Sequence, residues 1–478
     1  MHLIDVLKTH PALYRCVGLF MACALALGPA LFLNTTPAVA DVRKADVILG
    51  ETVDARGLAV ASCPSIDAEY ALVMDDEGRV YYERNAASAT PIASITKVMT
   101  AIVALDAAAL DTPLTVSATA ASVGESSAQL QEGDTLTLAD ALKALLVSSG
   151  NDAAEAIAET IGASFLAAAG TPGATPEQSV AAFVEHMNQK GVEIGLLDSV
   201  FANPHGLDDG IYAGNQHSCA ADVGAMVRYA MQNQAFRDSV SQATAAISVT
   251  RGGAQVTLEL HTTDELLGVF EGACGVKTGF TDLAGPSFAA ASNRGQGDLY
   301  AVVIHSSSEA QRFVDAQTLM QWVYDHTIDY PLVHSPETVQ STAGSADAQG
   351  QTPLVARVAH TEWIDTTIPA TFADPAAAVS VFDINGNVSQ SVSFDTISGN
   401  VRAGDKLGSV TFKQRNVVLA TADLIACEDV AAPDLFEGIG IWWDRFFRGF
   451  SGKNTVAQSV VVNQTPLIVD KSTPATAR

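Results

Sequence analysis

The spacing of apolar and polar positions divides the chain into stretches with different predicted structure. AEYALVMDDEGRVYYERNA (68–86) holds two strand-like runs around the turn Asp75-Asp76-Glu77-Gly78 and predicts a hairpin. From Ser94 to Ala109 the pattern becomes helical and alanine-rich. Residues 126–162 predict two helices, the first with Leu138, Ala141, Leu142, Leu145 and Leu146 on one face. Thr137 and Asp140 resemble a capping box for it, and Asn151-Asp152 can cap the second. Residues 163–245 read as mostly helical, interrupted by FANPHGLDDG (201–210). GPSFAAASNRGQGDLYAVVIHSSS (285–308) predicts a second strand pair, and Arg312 to His326 a helix.

The texture changes after that helix. SPETVQSTAGSADAQGQTP (335–353) reads as a polar linker. Leu354 to Cys427 is rich in Val, Thr and Asp, with turns such as Asn385-Gly386, and predicts a small all-β domain over 354–430. In DLFEGIGIWWDRFFRGF (434–450), Leu435, Phe436, Ile439, Trp442, Trp443, Phe446, Phe447 and Phe450 share one helical face. Glu437, Asp444, Arg445 and Arg448 fall opposite, as in an interfacial amphipathic helix. The alternative is a helix docked by that face on the β domain. Residues 451–478 form a tail whose apolar runs are too short to span a bilayer.

The N-terminus points to a compartment. Lys8 and Arg15 precede an apolar run from Cys16 to Leu33, followed by TPAVA-D. That layout predicts a secretory signal peptide over 1–40, cleaved after Ala40; an uncleaved anchor is the alternative. The mature chain would keep Cys63, Cys219, Cys274 and Cys427, whose pairing the sequence leaves open. The 478 residues carry a formal net charge of −27, with 26 basic against 53 acidic side chains. Such a balance disfavours nucleic acid, whose phosphates it would repel, and no nucleic-acid partner is expected. No C-x-x-C occurs, and no metal or other cofactor is called for.

The candidate chemistry begins in PIASITKVMTA (91–101), where Ser94 and Lys97 stand one helical turn apart. A serine hydroxyl needs a base, and a lysine can be that base only when neutral. Neutrality at pH 7 requires a shift of about three units, roughly 4–5 kcal/mol. Burial, a helix N-terminus and a second cation all push that way. By itself S-x-x-K arises by chance roughly once per few hundred residues. Two further elements follow in order: Ser149-Gly150-Asn151 at an elbow between helices, and Lys277-Thr278-Gly279 before a strand. A second S-x-N copy, Ser398-Gly399-Asn400, lies in the β-rich region and reads as a turn.

Ordered S-x-x-K, S-x-N and K-T-G motifs mark penicillin-binding proteins and serine β-lactamases. With NPHGL, GVKTGFTDLAG and VRAGDKLGSVTF, the chain resembles the low-molecular-mass D-alanyl-D-alanine carboxypeptidases. The resemblance implies an α/β, β-lactamase/transpeptidase-like catalytic domain over 41–334. That domain is an antiparallel sheet flanked by helices plus a helical subdomain, followed by the small β domain and a membrane-binding helix. It implies Ser94 as nucleophile, Lys97 as general base, Ser149 as proton relay and Asn151 as a hydrogen-bond partner of substrate or Lys97. Lys277, Thr278 and Gly279 would bind substrate, with Arg312 assisting. The backbone N–H groups of Ser94 and Phe280 would form the oxyanion hole. His205 reads as a turn residue fixing its loop.

The implied substrate is a peptidoglycan stem peptide ending in D-Ala-D-Ala, and the implied inhibitors are β-lactams. The implied location is the extracytoplasmic face of a bacterial cell membrane, reached through 434–450. A D,D-endopeptidase could use the same residues. A class A β-lactamase is disfavoured because no E-x-x-L-N stands between Ser149 and Lys277. A catalytically dead wall-binding protein would need none of the motif residues.

Overall fold

A computed structural model describes residues 42–343 and 349–468. The expected signal peptide, residues 344–348 of the expected linker and residues 469–478 of the tail lie outside the described residues. The chain forms two compact units that divide between Met320 and Gln321. That division falls within the helix Glu309–His326.

In the first unit the strands are β1 (Val47–Ile48), β2 (Glu51–Thr52), β3 (Tyr70–Asp75), β4 (Val80–Arg84), β5 (Pro113–Thr115) and β6 (Thr135–Thr137). They continue with β7 (Thr244–Arg251), β8 (Ala254–His261), β9 (Ala273–Gly279), β10 (Ser287–Asn293) and β11 (Asp298–Ile304). The helices are α1 (Lys97–Ala107), α2 (Leu138–Leu146), α3 (Asn151–Ala168), α4 (Pro176–Glu193), α5 (Ala220–Ala230), α6 (Gln234–Val240) and α7 (Glu309–His326). Among the described residues a seven-stranded antiparallel sheet has the order β2-β1-β4-β3-β11-β10-β9. A smaller sheet, β5-β6-β7-β8, stands apart from it.

Both predicted strand pairs form: β3 pairs with β4, and β10 with β11 in unbroken register from Phe288↔Val303 to Asn293↔Asp298. Helix α1 is the hub of the apolar core, with Val98, Met99, Ala101 and Ile102 buried among side chains of α2, α3 and α5. All five apolar positions predicted for α2 are buried. Thr137 caps α2 by accepting the Asp140 N–H at 3.2 Å. The Asp140 carboxylate turns instead to Lys143 and the Ser248 N–H, so the box is not closed.

The second unit contains β12 (Thr327–Pro331), β13 (Thr338–Gln340), β14 (Gln351–Pro353), β15 (Ala356–Ala359), β16 (Thr367–Phe372), β17 (Ala378–Phe382) and β18 (Val388–Phe394). Then come β19 (Lys406–Gln414), β20 (Val417–Ala426), helix α8 (Leu435–Ser451) and β21 (Val460–Val461). The sheet order β18-β19-β20-β16-β15-β21 encloses a core of Val358, Ile368, Phe372, Val410, Phe412 and Leu424. Residues read as linker carry the pair β13–β14, whose strands are too short to show a period. The tail also has a place: β21 pairs with β15, and buried Asn463 donates to the Leu332 carbonyl at 2.9 Å.

Helix α8 begins with a full capping box between Asp434 and Glu437 and ends at Gly452 in the left-handed conformation. Its polar face holds the β unit: Arg445 donates to the Thr361 and Trp363 carbonyls, and Arg448 pairs with Asp365. All eight side chains of the predicted apolar face are exposed. That rules out the alternative in which this face docks on the β domain. No helix among the described residues is long and apolar enough to cross a membrane.

One buried ion pair secures the start of the large sheet. Arg84 Nε and Nη2 meet the two oxygens of Asp46 at 2.9 and 2.8 Å, and the Tyr82 hydroxyl donates to the same carboxylate at 2.7 Å. Removing one partner of such a pair strands a buried charge. Asp46→Ala is therefore expected to lower unfolding free energy by about 3–5 kcal/mol, read as a reduced urea midpoint.

Candidate active site

Ser94 lies in a 3-10 turn, Ala93–Thr96, that runs directly into α1. Two glycines let neighbouring segments press on this turn. A Cβ on Gly206, at φ +90°, would stand 1.9 Å from the Ala93 carbonyl oxygen. A Cβ on Gly279 would stand 2.8 Å from the Ile92 oxygen. The NPHGL loop and the K-T-G strand thus close on the turn from different sides, and no side chain fits between. Ala93 itself takes φ +47°, a left-handed conformation unusual for a residue with a Cβ.

The spacing that places Ser94 and Lys97 on one face brings them into direct contact: Lys97 Nζ and Ser94 Oγ are hydrogen-bonded at 2.6 Å. Lys97 is 0% exposed, and its amine also donates to the His205 carbonyl at 3.1 Å. Burial holds its pKa well below the ordinary lysine value, the Lys277 charge lowers it further, and Asp152 opposes them. The first turn of α1 adds a positive helix end at the same place. A neutral amine hydrogen-bonded to a serine hydroxyl can accept its proton as the oxygen attacks.

The S-x-N elbow joins α2 to α3. Ser149 is buried and takes φ +60° there. Its hydroxyl makes no hydrogen bond among the described residues. Gly150, rather than Asn151, is the N-cap of α3. Asn151 instead donates from Nδ2 to the Gly124 carbonyl at 2.9 Å, while its Oδ1 is buried without a partner among the described residues. No hydrogen bond joins Ser149 or Asn151 to Ser94 or Lys97 among the described residues. Asp152 is spent on the adjoining loop, accepting from the Ala128 and Leu130 N–H groups and the Ser127 hydroxyl.

Strand β9 forms the free edge of the large sheet. Lys277 is 1% exposed and donates to the Thr278 carbonyl at 3.1 Å. Its pKa is pushed down to about 7, first by burial and then by the Arg312 charge, with Asp264 opposing. Thr278 Oγ1 lies 2.6 Å from Thr263 Oγ1. Arg312, expected to assist this strand, donates from Nη1 to the Gly279 carbonyl at 3.2 Å and pairs with Glu309. Phe280 follows the strand with its side chain half exposed. Lys277 and Arg312 put two cationic groups at this edge, a setting for a carboxylate.

Sequence reasoning did not single out two buried groups here, Asp264 and Glu155. Asp264 has one oxygen without a partner among the described residues, and burial pushes its pKa up to about 6. Glu155 sits four residues beyond Asn151 on α3, also buried. His205 was assigned a loop-fixing role; its carbonyl in addition meets the Lys97 amine. A polar residue inside an apolar helical pattern was the available signal for Glu155. No disulfide joins Cys63, Cys219, Cys274 and Cys427.

The family model for D-alanyl-D-alanine carboxypeptidase, peptidase family S11, matches residues 58–308. D-alanyl-D-alanine carboxypeptidase DacF of Bacillus subtilis is 27% identical over 368 residues, covering 75% of this chain and 84% of that protein. A D-alanyl-D-alanine endopeptidase of Pseudomonas aeruginosa is 30% identical over 258 residues, covering 53% of this chain and 76% of that protein. The crystal structure of the Streptomyces K15 DD-transpeptidase superimposes with a TM-score of 0.51 at 28% identity, covering 55% of this chain and 98% of that one. The chain is a serine peptidase of the β-lactamase/transpeptidase fold. It belongs to the S11 family of D-alanyl-D-alanine carboxypeptidases, the penicillin-binding proteins of low molecular mass.

The two amines place opposite demands on pH. A Lys97 that served as the base would have to be neutral, and the rate would then rise as pH passes through its lowered pKa. A Lys277 that held a carboxylate would have to be charged, and such capture would fall as pH rises above about 7. The kcat/KM profile, which reports the free enzyme, is expected to turn down on that alkaline side. Lys277→Arg, whose guanidinium stays charged, is expected to move the downturn up by more than about one pH unit.

Proposed function

We propose that the protein trims the terminal D-alanine from peptidoglycan stem peptides through an acyl-enzyme on Ser94, and that β-lactams acylate the same oxygen. The observation carrying this reading is the 2.6 Å contact between Ser94 Oγ and a buried Lys97 amine held near a second buried amine. In this reading Lys97 takes the Ser94 proton as Oγ attacks the penultimate D-alanine carbonyl. The N–H groups of Ser94 and Phe280 receive the oxyanion. Ser149 passes the proton to the leaving amine, and Asn151 uses its unpartnered Oδ1 on the peptide or on Lys97. Lys277, Thr278 and Arg312 hold the terminal carboxylate. Water then cleaves the ester, with Lys97 as base again.

The reading is tested with a stem pentapeptide and a cross-linked dimer offered side by side. The protein is expected to release D-alanine from the first and leave the second intact; cleavage of the dimer at a comparable rate would instead make it an endopeptidase. Ser94→Ala is expected to abolish labelling by fluorescent penicillin without lowering the melting temperature. Labelling that survives would remove Ser94 as nucleophile.

We further propose that the protein is exported by its N-terminal signal and rests on the outer face of the cell membrane through α8. Support comes from the row of exposed aromatic side chains, each worth about 1.5–3 kcal/mol if buried in lipid. Attachment by apolar area does not require the anionic lipid that a strongly acidic protein would avoid. Changing Trp442, Trp443, Phe446 and Phe447 together to Glu is expected to abolish flotation with neutral phosphatidylcholine vesicles. Undiminished flotation would reject α8 as the contact.

A further inference from the structure

Besides Asp152, helix α3 buries two carboxyls that the proposed reaction leaves unused. Glu159 accepts the Ser117 hydroxyl at 2.7 Å. Glu155 has no such partner: its Oε2 is buried without a hydrogen bond among the described residues. His205 Nε2, also buried and unpartnered among them, lies 3.9 Å away. Two complementary polar atoms buried face to face just beyond bonding distance are costly as they stand, and a displacement of about 1 Å joins them.

The tautomer of His205 follows from its other nitrogen. Nδ1 accepts the Leu207 N–H at 3.2 Å, so the proton of the neutral ring sits on Nε2 and is offered to Glu155. Burial and the nearby Lys97 keep that ring neutral, with its pKa pushed down to about 3. Tyr212 packs edge-on against the ring with centroids 4.5 Å apart.

The main chain of the same residue reaches the reaction. The His205 carbonyl accepts from Lys97 Nζ at 3.1 Å, and the Pro204 carbonyl accepts the Thr100 hydroxyl at 2.6 Å. The ring thus faces α3 while the carbonyl beside it aims the amine. We propose that Glu155 is a positioning residue for acyl transfer: its carboxylate takes up the Nε2–H of His205 and thereby fixes the carbonyl that holds the Lys97 amine against Ser94. The proposal rests on the reading of Lys97 as the base.

Glu155 would act most strongly when ionised, because a charged acceptor makes the stronger hydrogen bond. Burial, Glu159 on the same helix and Glu177 on α4 push its pKa up to about 7. His205 and Tyr212 face it from the intervening segment, and Lys97 stands behind His205 on α1. Its folded pKa lies above the ordinary glutamate value, so its protonated form favours folding and that contribution is lost as pH rises through about 7. Removing the carboxyl should consequently not destabilise the protein in alkaline buffer.

The test is stopped-flow acylation of the full chain by benzylpenicillin. Glu155→Leu is expected to lower the limiting acylation rate by about 10- to 100-fold with the penicillin dissociation constant within about 2-fold. Its melting temperature at about pH 8 should equal or exceed that of the parent. Glu155→Gln, which keeps an acceptor, is expected to recover much of the rate. The ratio of parent to Glu155→Gln rates is expected to rise with pH as a one-proton step centred near 7. A parental rate in Glu155→Leu, a pH-independent ratio, or a rate loss matched by a drop in melting temperature would each overturn the proposal. Lys97→Ala is run alongside: rapid acylation there would reject the base reading itself. A dead Lys97→Ala beside a fast Glu155→Leu would reject the positioning role alone.

Discussion

The site depends on a lysine whose charged form the fold disfavours. Lys97 stands at the head of the core helix α1, sealed from water, with a second buried amine acting on it. An ionised partner would undo the arrangement by making the ammonium welcome. Asp152 is the carboxylate that acts on Lys97, and its oxygens are occupied by two loop N–H groups and a serine hydroxyl. The amine is left with a hydroxyl and a peptide carbonyl, both neutral. Proton affinity is thus set by what the surrounding segments withhold as much as by what they supply.

Holding those segments together requires unusual backbone. Ala93 and Ser149 both take left-handed conformations that side chains ordinarily avoid, and both adjoin or belong to a motif. Gly206 and Gly279 bring two other segments within contact of the same turn. Such strain persists only where neighbouring structure over-determines it. Here the neighbours are the large sheet and the α1 core, which explains why a reactive pair can be built on a short 3-10 turn.

Much of this was legible from residue order alone. The S-x-x-K spacing required a shared helical face, and the strand patterns around Gly78 and Gly297 required hairpins; both follow from periodicity. Other features carry no periodic signal. Gly150 replaces Asn151 as helix cap because the Asn151 amide is drawn to Gly124, a contact between segments distant in sequence. The Glu155–His205 juxtaposition depends on a loop folding back across α3. Strands of two or three residues, such as β13, β14 and β21, are shorter than one alternation can reveal.

The return of the chain after α8 changes what that helix can do. Its preceding segment bridges to the β unit at Val401↔Val430, and its following segment ends in β21, stitched to β15. Arg445 and Arg448 fasten the side between. A helix with one loose end can swing or plunge end-first. This one is a rung bolted at both ends, so an apolar surface that met it through its aromatic rings would have to be met broadside.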